Sequence, residues 1–162
     1  SNPSEQGMLF TFRKENLAGI LKTAMELCTS RAENAGVKLL LDCPENLEIN
    51  ADSSLLEQAV VNLMDNAVKY SPSGETVRIT GAETGSRILI AVEDHGCGIP
   101  EGEHERIFER FYRVDKARSR KLGGTGLGLS IVKHIAIAHN GNVRLESAPG
   151  TGSTFIIELP RG

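Results

Sequence analysis

Tryptophan is absent from this sequence of 162 residues, and aromatic residues make up only 4% of it. Proteins that bind single-stranded nucleic acid stack bases on aromatic side chains, so such a stacking platform is not expected. Basic residues are also outnumbered by acidic ones, which gives a net charge of −3. A binder of nucleic acid that works through bulk electrostatics would carry a basic excess, so we expect no nucleic-acid partner.

Cysteine is sparse, and long apolar runs are missing. Cys28, Cys43 and Cys97 are widely spaced and form no C-x-x-C pair, so we expect neither a zinc site nor a disulfide framework, and a reducing cytosol fits best. No apolar run is long enough to span a bilayer, and no signal peptide is present. We therefore expect this stretch to make no membrane contact. It opens on Ser1 instead of Met, and we expect it to be a segment of a longer protein.

The length and composition suit one folded domain. Apolar residues make up 40% of the chain and charged residues 24%, as in ordinary soluble proteins. Residues 1–9 are polar and are predicted to be a frayed tail or linker. Residues 10–160 are predicted to form a single domain without internal repeats.

The apolar pattern predicts helices and strands in alternating blocks. Apolar residues recur with a helical period in 17–35, 54–70 and 127–139, and a shorter helix is predicted at 103–111. Strands are predicted at 10–13, 37–42, 47–51, 76–83, 87–93, 142–147 and 153–159. Helices and antiparallel hairpins in blocks indicate an α+β fold, with three long helices on one face of a mixed, mostly antiparallel sheet.

A glycine-rich segment, residues 123–130, leads into the third long helix and overlaps its first turn. Glycine lets the backbone approach a bulky anion closely, and the free N–H groups at a helix start favour negative charge. The segment lacks the Lys-Ser or Lys-Thr of a P-loop and the spacing of a dinucleotide fingerprint. It also lacks the spacing of a protein-kinase glycine loop. We interpret it as a phosphate-binding segment, with a flexible linker as the alternative.

The second helix carries a polar side that suits a magnesium–phosphate ligand. Its members at helical spacing are Gln58, Asn62, Asp65, Asn66 and Lys69. Such a side is usually no more than a solvated surface. Asparagine is, however, mildly unfavourable inside a helix, and two stand one turn apart here. An amide oxygen suits Mg²⁺ and a lysine suits phosphate, so the alternative is that this side looks into a site.

Two further segments carry candidate binding residues. Asp94 to Pro100 follows a strand and could be an ordinary turn, or Asp94 could close a pocket floored by Gly96 and Gly98 and bind an adenine amino group. In 108–113 the aromatic residues are expected to pack a loop down, while Arg110 or Arg113 could reach a terminal phosphate. The four histidines are expected to be surface or structural residues.

Five motifs then occur in a fixed order. They are Asn62-x-x-x-Asn66-Ala67-x-Lys69-Tyr70, Asp94-x-Gly96-x-Gly98-Ile99, Phe108-x-x-Phe111-Tyr112-Arg113, Gly124-Thr125-Gly126-Leu127-Gly128-Leu129 and Gly150-Thr151-Gly152-Ser153-x-Phe155. Over residues 10–160 the chain thereby resembles the catalytic ATP-binding domain of bacterial sensor histidine kinases, and most closely the phosphate-regulon sensor (PhoR-like) class. Five ordered motifs are far more specific than any single one.

The resemblance implies a Bergerat-fold α/β sandwich that binds ATP and Mg²⁺. It implies that Asn66 ligates Mg²⁺, Lys69 contacts phosphate and Asp94 binds the adenine amino group. Residues 114–125 would form a lid over ATP, and Arg113 would approach the γ-phosphate. The remaining nucleotide-binding positions implied are Tyr70, Gly96, Gly98, Ile99, Gly124, Thr125, Gly126, Leu127, Gly128, Leu129 and Thr154.

The implied reaction is transfer of the γ-phosphoryl group to a histidine on a separate dimerisation domain, for relay to an aspartate of a response regulator. Related ATPases place a glutamate where this chain has Asn62, so little ATP hydrolysis is expected. His95 stands where the family usually has Asn. No His-Glu-x-x-x-Pro phosphoacceptor occurs, because Glu109 follows His104-Glu105 where the proline would stand. The alternatives are a nucleotide-binding regulatory module, an anti-sigma-type serine kinase or an ATPase of the same superfamily. The parent is expected to be an inner-membrane sensor with this domain in the cytoplasm.

Overall fold

The computed structural model of the chain describes residues 9–109 and 128–162. Three helices, seven strands and two single turns of 3₁₀-helix follow one another in this part of the chain. The helices are α1 (Leu17–Ala35), α2 (Ser53–Tyr70) and α3 (Gly128–Ala138). The strands are β1 (Arg13–Asn16), β2 (Lys38–Asp42), β3 (Glu48–Ala51), β4 (Thr76–Thr84), β5 (Arg87–Asp94), β6 (Asn142–Ala148) and β7 (Gly152–Pro160). The 3₁₀ turns are Glu101–Glu103 and Arg106–Phe108.

Five strands form the main sheet in the order β2-β4-β5-β7-β6. Only β2 and β4 run parallel, and the other neighbours are antiparallel. The buried residues of α1, α2 and α3 join those of the sheet in one hydrophobic core. The prediction of an α+β fold, with long helices against a mixed and mostly antiparallel sheet, is confirmed.

The helix ends follow from local capping chemistry. Asn16 precedes α1, and its side-chain oxygen accepts the Gly19 N–H at 2.8 Å. Gly36 ends α1 in the left-handed conformation, with φ of 72°, a position that glycine occupies at little cost. Asp52 caps α2 by accepting the Leu55 N–H at 3.1 Å. The three long helices therefore begin and end within one or two residues of their predicted bounds.

The strand predicted at 10–13 lies in a different place. The strand observed is Arg13–Asn16, and it pairs with Glu48–Ala51 in a separate two-stranded ribbon outside the main sheet. Its side chains are mostly exposed, so hydrophobic alternation could not locate it. The position of this strand is set by its pairing with β3, which is distant in sequence.

Where a helix is predicted at 103–111, the described residues up to 109 form the two 3₁₀ turns instead, each of three residues. Gly102 lies inside the first turn and favours an irregular backbone. A segment this short gains too few hydrogen bonds to offset the cost of starting an α-helix. Ile107 and Phe108 nevertheless face the core, and the Phe108 ring meets the Phe155 ring edge-on at 5.9 Å.

Candidate nucleotide site

Asp94 ends a row of buried side chains on β5. Ile88, Ile90 and Val92 alternate along that row, and Asp94 continues it at the edge of the sheet with 5% of its surface exposed. A carboxylate in this phase faces the helical layer instead of solvent. The alternation therefore places the Asp94 carboxylate between the sheet and the helices.

Two backbone N–H groups hold the Asp94 carboxylate in place. Gly96 N–H donates to Oδ1 at 2.9 Å, and Ser153 N–H donates to the same oxygen at 3.2 Å. Burial raises the pKa of Asp94 above its ordinary value, and the two N–H donors oppose that rise. Among the residues that the structure describes, none forms a hydrogen bond with Oδ2. Because the two N–H groups hold Oδ1, the position of Oδ2 is also set, and Oδ2 can accept a hydrogen bond from an amino group.

The glycines after Asp94 permit close backbone contacts. A Cβ on Gly96 would lie 2.6 Å from the carbonyl oxygen of Tyr70, the last residue of α2. Gly98 has φ of 77°, and a Cβ there would overlap the carbonyl of Ala148. The loop is thus wedged between the C-terminal end of α2 and the turn that joins β6 to β7, as close approach requires of glycine.

Ser153 is a site residue that sequence reasoning missed. It pairs directly with Asp94 across the β5–β7 register and is 6% exposed. Its hydroxyl lies 2.8 Å from that of Ser147, which in turn accepts the Ile99 N–H at 2.8 Å. Thr154 pairs with Glu93 and so points to the opposite face of the sheet. Strand register could have identified Ser153, because it stands level with Asp94.

Four predicted residues of α2 share one half-buried side. They are Asn62, Asn66, Lys69 and Tyr70. The Asn62 amide nitrogen lies 3.5 Å from the Gly128 carbonyl at the start of α3. Tyr70 is the point where α2 meets the Asp94 loop, through the close approach of Gly96. The polar side of α2 therefore runs from the start of α3 to the Asp94 loop.

Asp65 lies on α2 but belongs to another contact. Its Oδ1 accepts the Arg31 Nε–H at 2.7 Å, which joins α2 to α1. The buried Cys28 thiol lies 3.6 Å from the same oxygen. Asp65 therefore joins α2 to α1 through Arg31.

The glycine-rich segment is described only at its C-terminal end. Gly128 begins α3, and an added Cβ there would lie 3.9 Å from the Asn62 side chain. Leu129 is half-buried and packs on the core. The predicted positions Arg113, Gly124, Thr125, Gly126 and Leu127, and the predicted lid at 114–125, lie outside the described residues.

The donor set at this site fits a magnesium ion carried by a nucleotide. Within 9–109 and 128–162 there is no group of three or more His, Cys, Asp or Glu side chains that could form a protein-only metal cage. Mg²⁺ bound with nucleotides takes most of its ligands from phosphate and water and needs only one or two protein oxygens. The half-buried amide of Asn66 can supply one.

A depression of about 260 Å³ opens where β5 and β6 end and β7 begins. Its walls include Asp94 and Ser153, but also Glu93, Glu146 and Thr154 from the opposite face of the sheet. It includes no residue of α2. The depression therefore reaches the Asp94 carboxylate from the ends of the strands, and neither Asn62 nor Asn66 lines it.

Comparison with known proteins gives a consistent result. Residues 51–162 match the family model described as histidine kinase-, DNA gyrase B- and HSP90-like ATPase. The chain is 52% identical over 129 residues to the sensor-like histidine kinase SenX3 of Mycolicibacterium smegmatis, which covers 80% of this chain and 34% of that protein. It is 43% identical over 127 residues to the sensor histidine kinase WalK of Bacillus subtilis, covering 76% of this chain and 21% of WalK.

Solved structures of similar proteins share the fold over nearly the whole chain. The mycobacterial sensor histidine kinase MprB superposes with a TM-score of 0.81 at 28% identity, covering 93% of this chain and 97% of that one. Full-length ShkA in complex with AMPPNP gives 0.81 at 30% identity, covering 94% and 32%. The chain spans about a third or less of the length of the curated relatives that it matches.

Proposed function

Because the chain belongs to the family of histidine kinase-, DNA gyrase B- and HSP90-like ATPases, as an ATP-binding catalytic domain of the sensor histidine kinase type, we propose that it binds Mg-ATP and transfers the γ-phosphoryl group to a histidine. That histidine stands on a separate dimerisation domain of the parent protein. The observation that carries the proposal is the buried Asp94 carboxylate, held by Gly96 and Ser153 at the end of the asparagine-bearing helix.

Asp94 recognises adenine in this proposal. Its Oδ1 is occupied by two backbone N–H groups, so Oδ2 is directed at the ligand and accepts the exocyclic amino group. A guanine base presents a carbonyl oxygen at that position, and two acceptors would then face each other in a buried setting. Leaving both without a donor is costly, which favours ATP over GTP.

The polar side of α2 holds the phosphates. Asn66 supplies an oxygen ligand to Mg²⁺, and the metal supplies charge neutralisation at the phosphate oxygens. Lys69 is half-buried, and it forms no ion pair with another residue of 9–109 or 128–162. Its ammonium group can therefore reach a phosphate oxygen. Arg113 and the glycine-rich segment at 124–128 complete the proposed phosphate contacts.

The transfer itself needs positioning more than covalent help from the domain. A neutral imidazole nitrogen of the acceptor attacks the γ-phosphorus, a P–N bond forms, and the bond from the γ-phosphorus to the bridging oxygen breaks as ADP leaves. A carboxylate in place of Asn62 could draw a proton from water and favour hydrolysis. An amide cannot act as that base, so the phosphoryl group is kept for the histidine.

The wider assignments rest on the resemblance of the motifs. The parent is proposed to be a sensor of the phosphate-regulon class in the inner membrane, with this domain in the cytoplasm and a response regulator as the indirect partner. No helix in the described part of the chain is long and apolar enough to cross a membrane. If kinase activity is lost when phosphate is added to cells that carry the parent gene, the phosphate-regulon class is supported. Kinase activity that does not respond to phosphate would contradict that class.

The experiment mixes this chain with labelled ATP, Mg²⁺ and a separately purified dimerisation domain that carries the phosphoacceptor histidine. Label that is stable to alkali and labile to acid should appear on that domain and not on this chain. At an ATP concentration below the dissociation constant, Asp94→Asn should slow the transfer by roughly tenfold to a hundredfold, while Glu93→Gln, the neighbouring carboxylate on the other face of β5, should leave it unchanged. Label on serine would favour the anti-sigma type of kinase, and ATP binding without transfer would favour a regulatory module.

A further inference from the structure

His139 is buried, and both of its ring nitrogens are engaged. It is 4% exposed and directly follows α3. Nδ1 lies 2.8 Å from the Ile135 carbonyl oxygen, and Nε2 lies 3.1 Å from the backbone nitrogen of Asp52. A backbone N–H can only donate and a carbonyl can only accept. The geometry therefore fixes the tautomer: Nδ1 carries the proton, and Nε2 is an acceptor in a neutral ring.

Asp52, which His139 contacts, is the residue that caps α2. Its carboxylate accepts the Leu55 N–H at 3.1 Å and, through its other oxygen, the Thr11 N–H at 2.8 Å. Asp52 therefore contacts three parts of the chain. Its backbone N–H donates to His139 at the end of α3. Its carboxylate accepts N–H groups of α2 and of the segment Leu9–Phe12. We call this contact of His139 with Asp52 the junction.

The segment Leu9–Phe12 also covers the imidazole directly. The Phe12 ring meets the His139 ring edge-on at 5.0 Å and lies 6.0 Å from the Phe10 ring in a stacked arrangement. Phe12 remains 41% exposed. The segment by which the chain enters the domain thus closes over the junction without becoming part of the core.

A second tie joins the same two helices at the site. Asn62 of α2 contacts the Gly128 carbonyl at the start of α3. At 1.5 Å per helical residue, Asp52 and Asn62 are about 15 Å apart, and Gly128 and His139 are about 16 Å apart. The helices α2 and α3 are therefore antiparallel. The contact of Asp52 with His139 and the contact of Asn62 with Gly128 are separated by about the same distance along both helices. A change at the junction alters how α3 presents Gly128 to Asn62.

We propose that His139 is a positioning residue for the nucleotide site, and that Leu9–Phe12 acts on the site through it. The neutral imidazole sets the position of α3 against α2 from the far end of the helix pair. The segment Leu9–Phe12 can then alter nucleotide binding without touching the nucleotide. The nucleotide readout of this proposal rests on the proposed function, but its structural readout does not.

The test compares His139→Leu with His139→Gln in the full 162-residue chain. Leucine fills the space without an acceptor, whereas the glutamine amide oxygen can again accept the Asp52 N–H. His139→Leu should weaken Mg-ATP affinity about tenfold, within the range by which remote contacts alter binding. His139→Gln should recover most of the loss. Ile79→Val, on a strand packed against α1 and α2, serves as the control for lowered stability alone.

Phe12→Ala tests the covering segment, with Leu9→Ala as its matched control. Both remove an exposed apolar side chain from the same segment, but only Phe12 contacts His139. Phe12→Ala should weaken ATP affinity in the same direction as His139→Leu, and the double variant should lose less than the sum of the two. Leu9→Ala should bind as the original chain does. If His139→Leu does not fold, this pair decides the question.

A readout without nucleotide separates this proposal from the proposed function. Magnetic resonance of the free chain should show the side-chain amide of Asn62 and the backbone amide of Gly128 shifted in His139→Leu and restored in His139→Gln. Unchanged signals and affinity in the presence of a lowered unfolding temperature would overturn the positioning role, as would an equal loss of affinity in Ile79→Val. Failure of the original chain to bind ATP would overturn the proposed function, and the amide shifts would still decide the role of His139.

Discussion

Asp94 can be changed to Asn without disturbing the contacts that hold it. The amide oxygen of Asn can still accept the Gly96 and Ser153 N–H groups. Its NH₂ group, however, would meet the adenine amino group donor to donor. Since hydrogen bonds to charged groups contribute about 1.5–3 kcal/mol, Asp94→Asn should weaken ATP binding by roughly tenfold to a hundredfold. Calorimetry measures this, with Glu93→Gln as the control, and an unchanged affinity would remove Asp94 from adenine recognition.

The same carboxylate should make stability depend on pH in a defined direction. Burial raises the pKa of Asp94 above its ordinary value of 3.8, so the folded chain without nucleotide holds this proton more tightly than the unfolded chain. That contribution is fully present below pH 3.8 and is lost as the pH rises through the raised pKa. The free energy of unfolding of the original chain should therefore fall relative to Asp94→Asn over that interval. Urea titrations at a series of pH values measure the difference, and a rise would contradict it.

Cys28 should be inert to thiol reagents in the folded chain. Burial, followed by the nearby Asp65 carboxylate, raises its pKa to about 11, so only about one thiol in ten thousand is ionised at pH 7. Cys97 is exposed and serves as the internal comparison. Iodoacetamide followed by peptide mass spectrometry should label Cys97 first, and Cys28 only in denaturant. Equal labelling of both would mean that α1 and α2 separate readily.

At the scale of elements, hydrophobic periodicity predicted the bounds of the three long helices well, whereas the short helix predicted at 103–111 was wrong. Asp52 and Gly36 mark helix ends through local chemistry that needs no knowledge of the rest of the fold. The first strand was misplaced, because its exposed side chains carry no hydrophobic signal and its partner, β3, lies more than thirty residues away. Local interactions are readable from sequence, and long-range pairings with polar side chains are not.

The same limit applies to the site. Asp94, Gly96 and the polar side of α2 could be proposed from the sequence because each stands within one motif. Ser153 was missed because its importance comes from standing level with Asp94 in a neighbouring strand. Asp65 shows the opposite case: it shares the helical period of Asn62, yet the position of α1 turns it to Arg31.

Two glycines in neighbouring segments offer a matched pair for testing the loop after β5. Gly98 has a positive φ and lies against the Ala148 carbonyl, whereas Gly102 has no atom within 4 Å of an added Cβ. Gly98→Ala should destabilise the domain by about 1–3 kcal/mol through strain and displacement of the turn between β6 and β7, and should weaken ATP binding. Gly102→Ala should do neither. Thermal unfolding with and without ATP measures both, and equal effects would argue against the wedged loop.

At the scale of the whole molecule, the site is an intersection of elements. The end of β5, the side of α2 and the start of α3 come from sequence positions that only the complete fold brings together, as the contacts Gly96–Tyr70 and Asn62–Gly128 illustrate. An unfolded chain has no such site. Nucleotide binding must therefore stabilise the entire domain and not one part of it.

Melting of the chain should accordingly depend on both ATP and Mg²⁺. With ATP at a hundred times its dissociation constant and Mg²⁺ present, the free energy of unfolding should rise by about 2.7 kcal/mol, which is several degrees for a domain of this size. Mg²⁺ alone should do little, because the protein supplies too few oxygens to hold it without phosphate.

Asn66→Asp should change the Mg²⁺ concentration needed for the ATP effect, since a carboxylate binds the cation more strongly than an amide. Calorimetric scans over a matrix of both concentrations measure this, with Gln58→Glu as the control because that exposed position adds the same charge two turns away on α2. An identical Mg²⁺ dependence in Asn66→Asp would place the metal elsewhere, while a melting temperature unaffected by ATP in the original chain would contradict the nucleotide site as a whole.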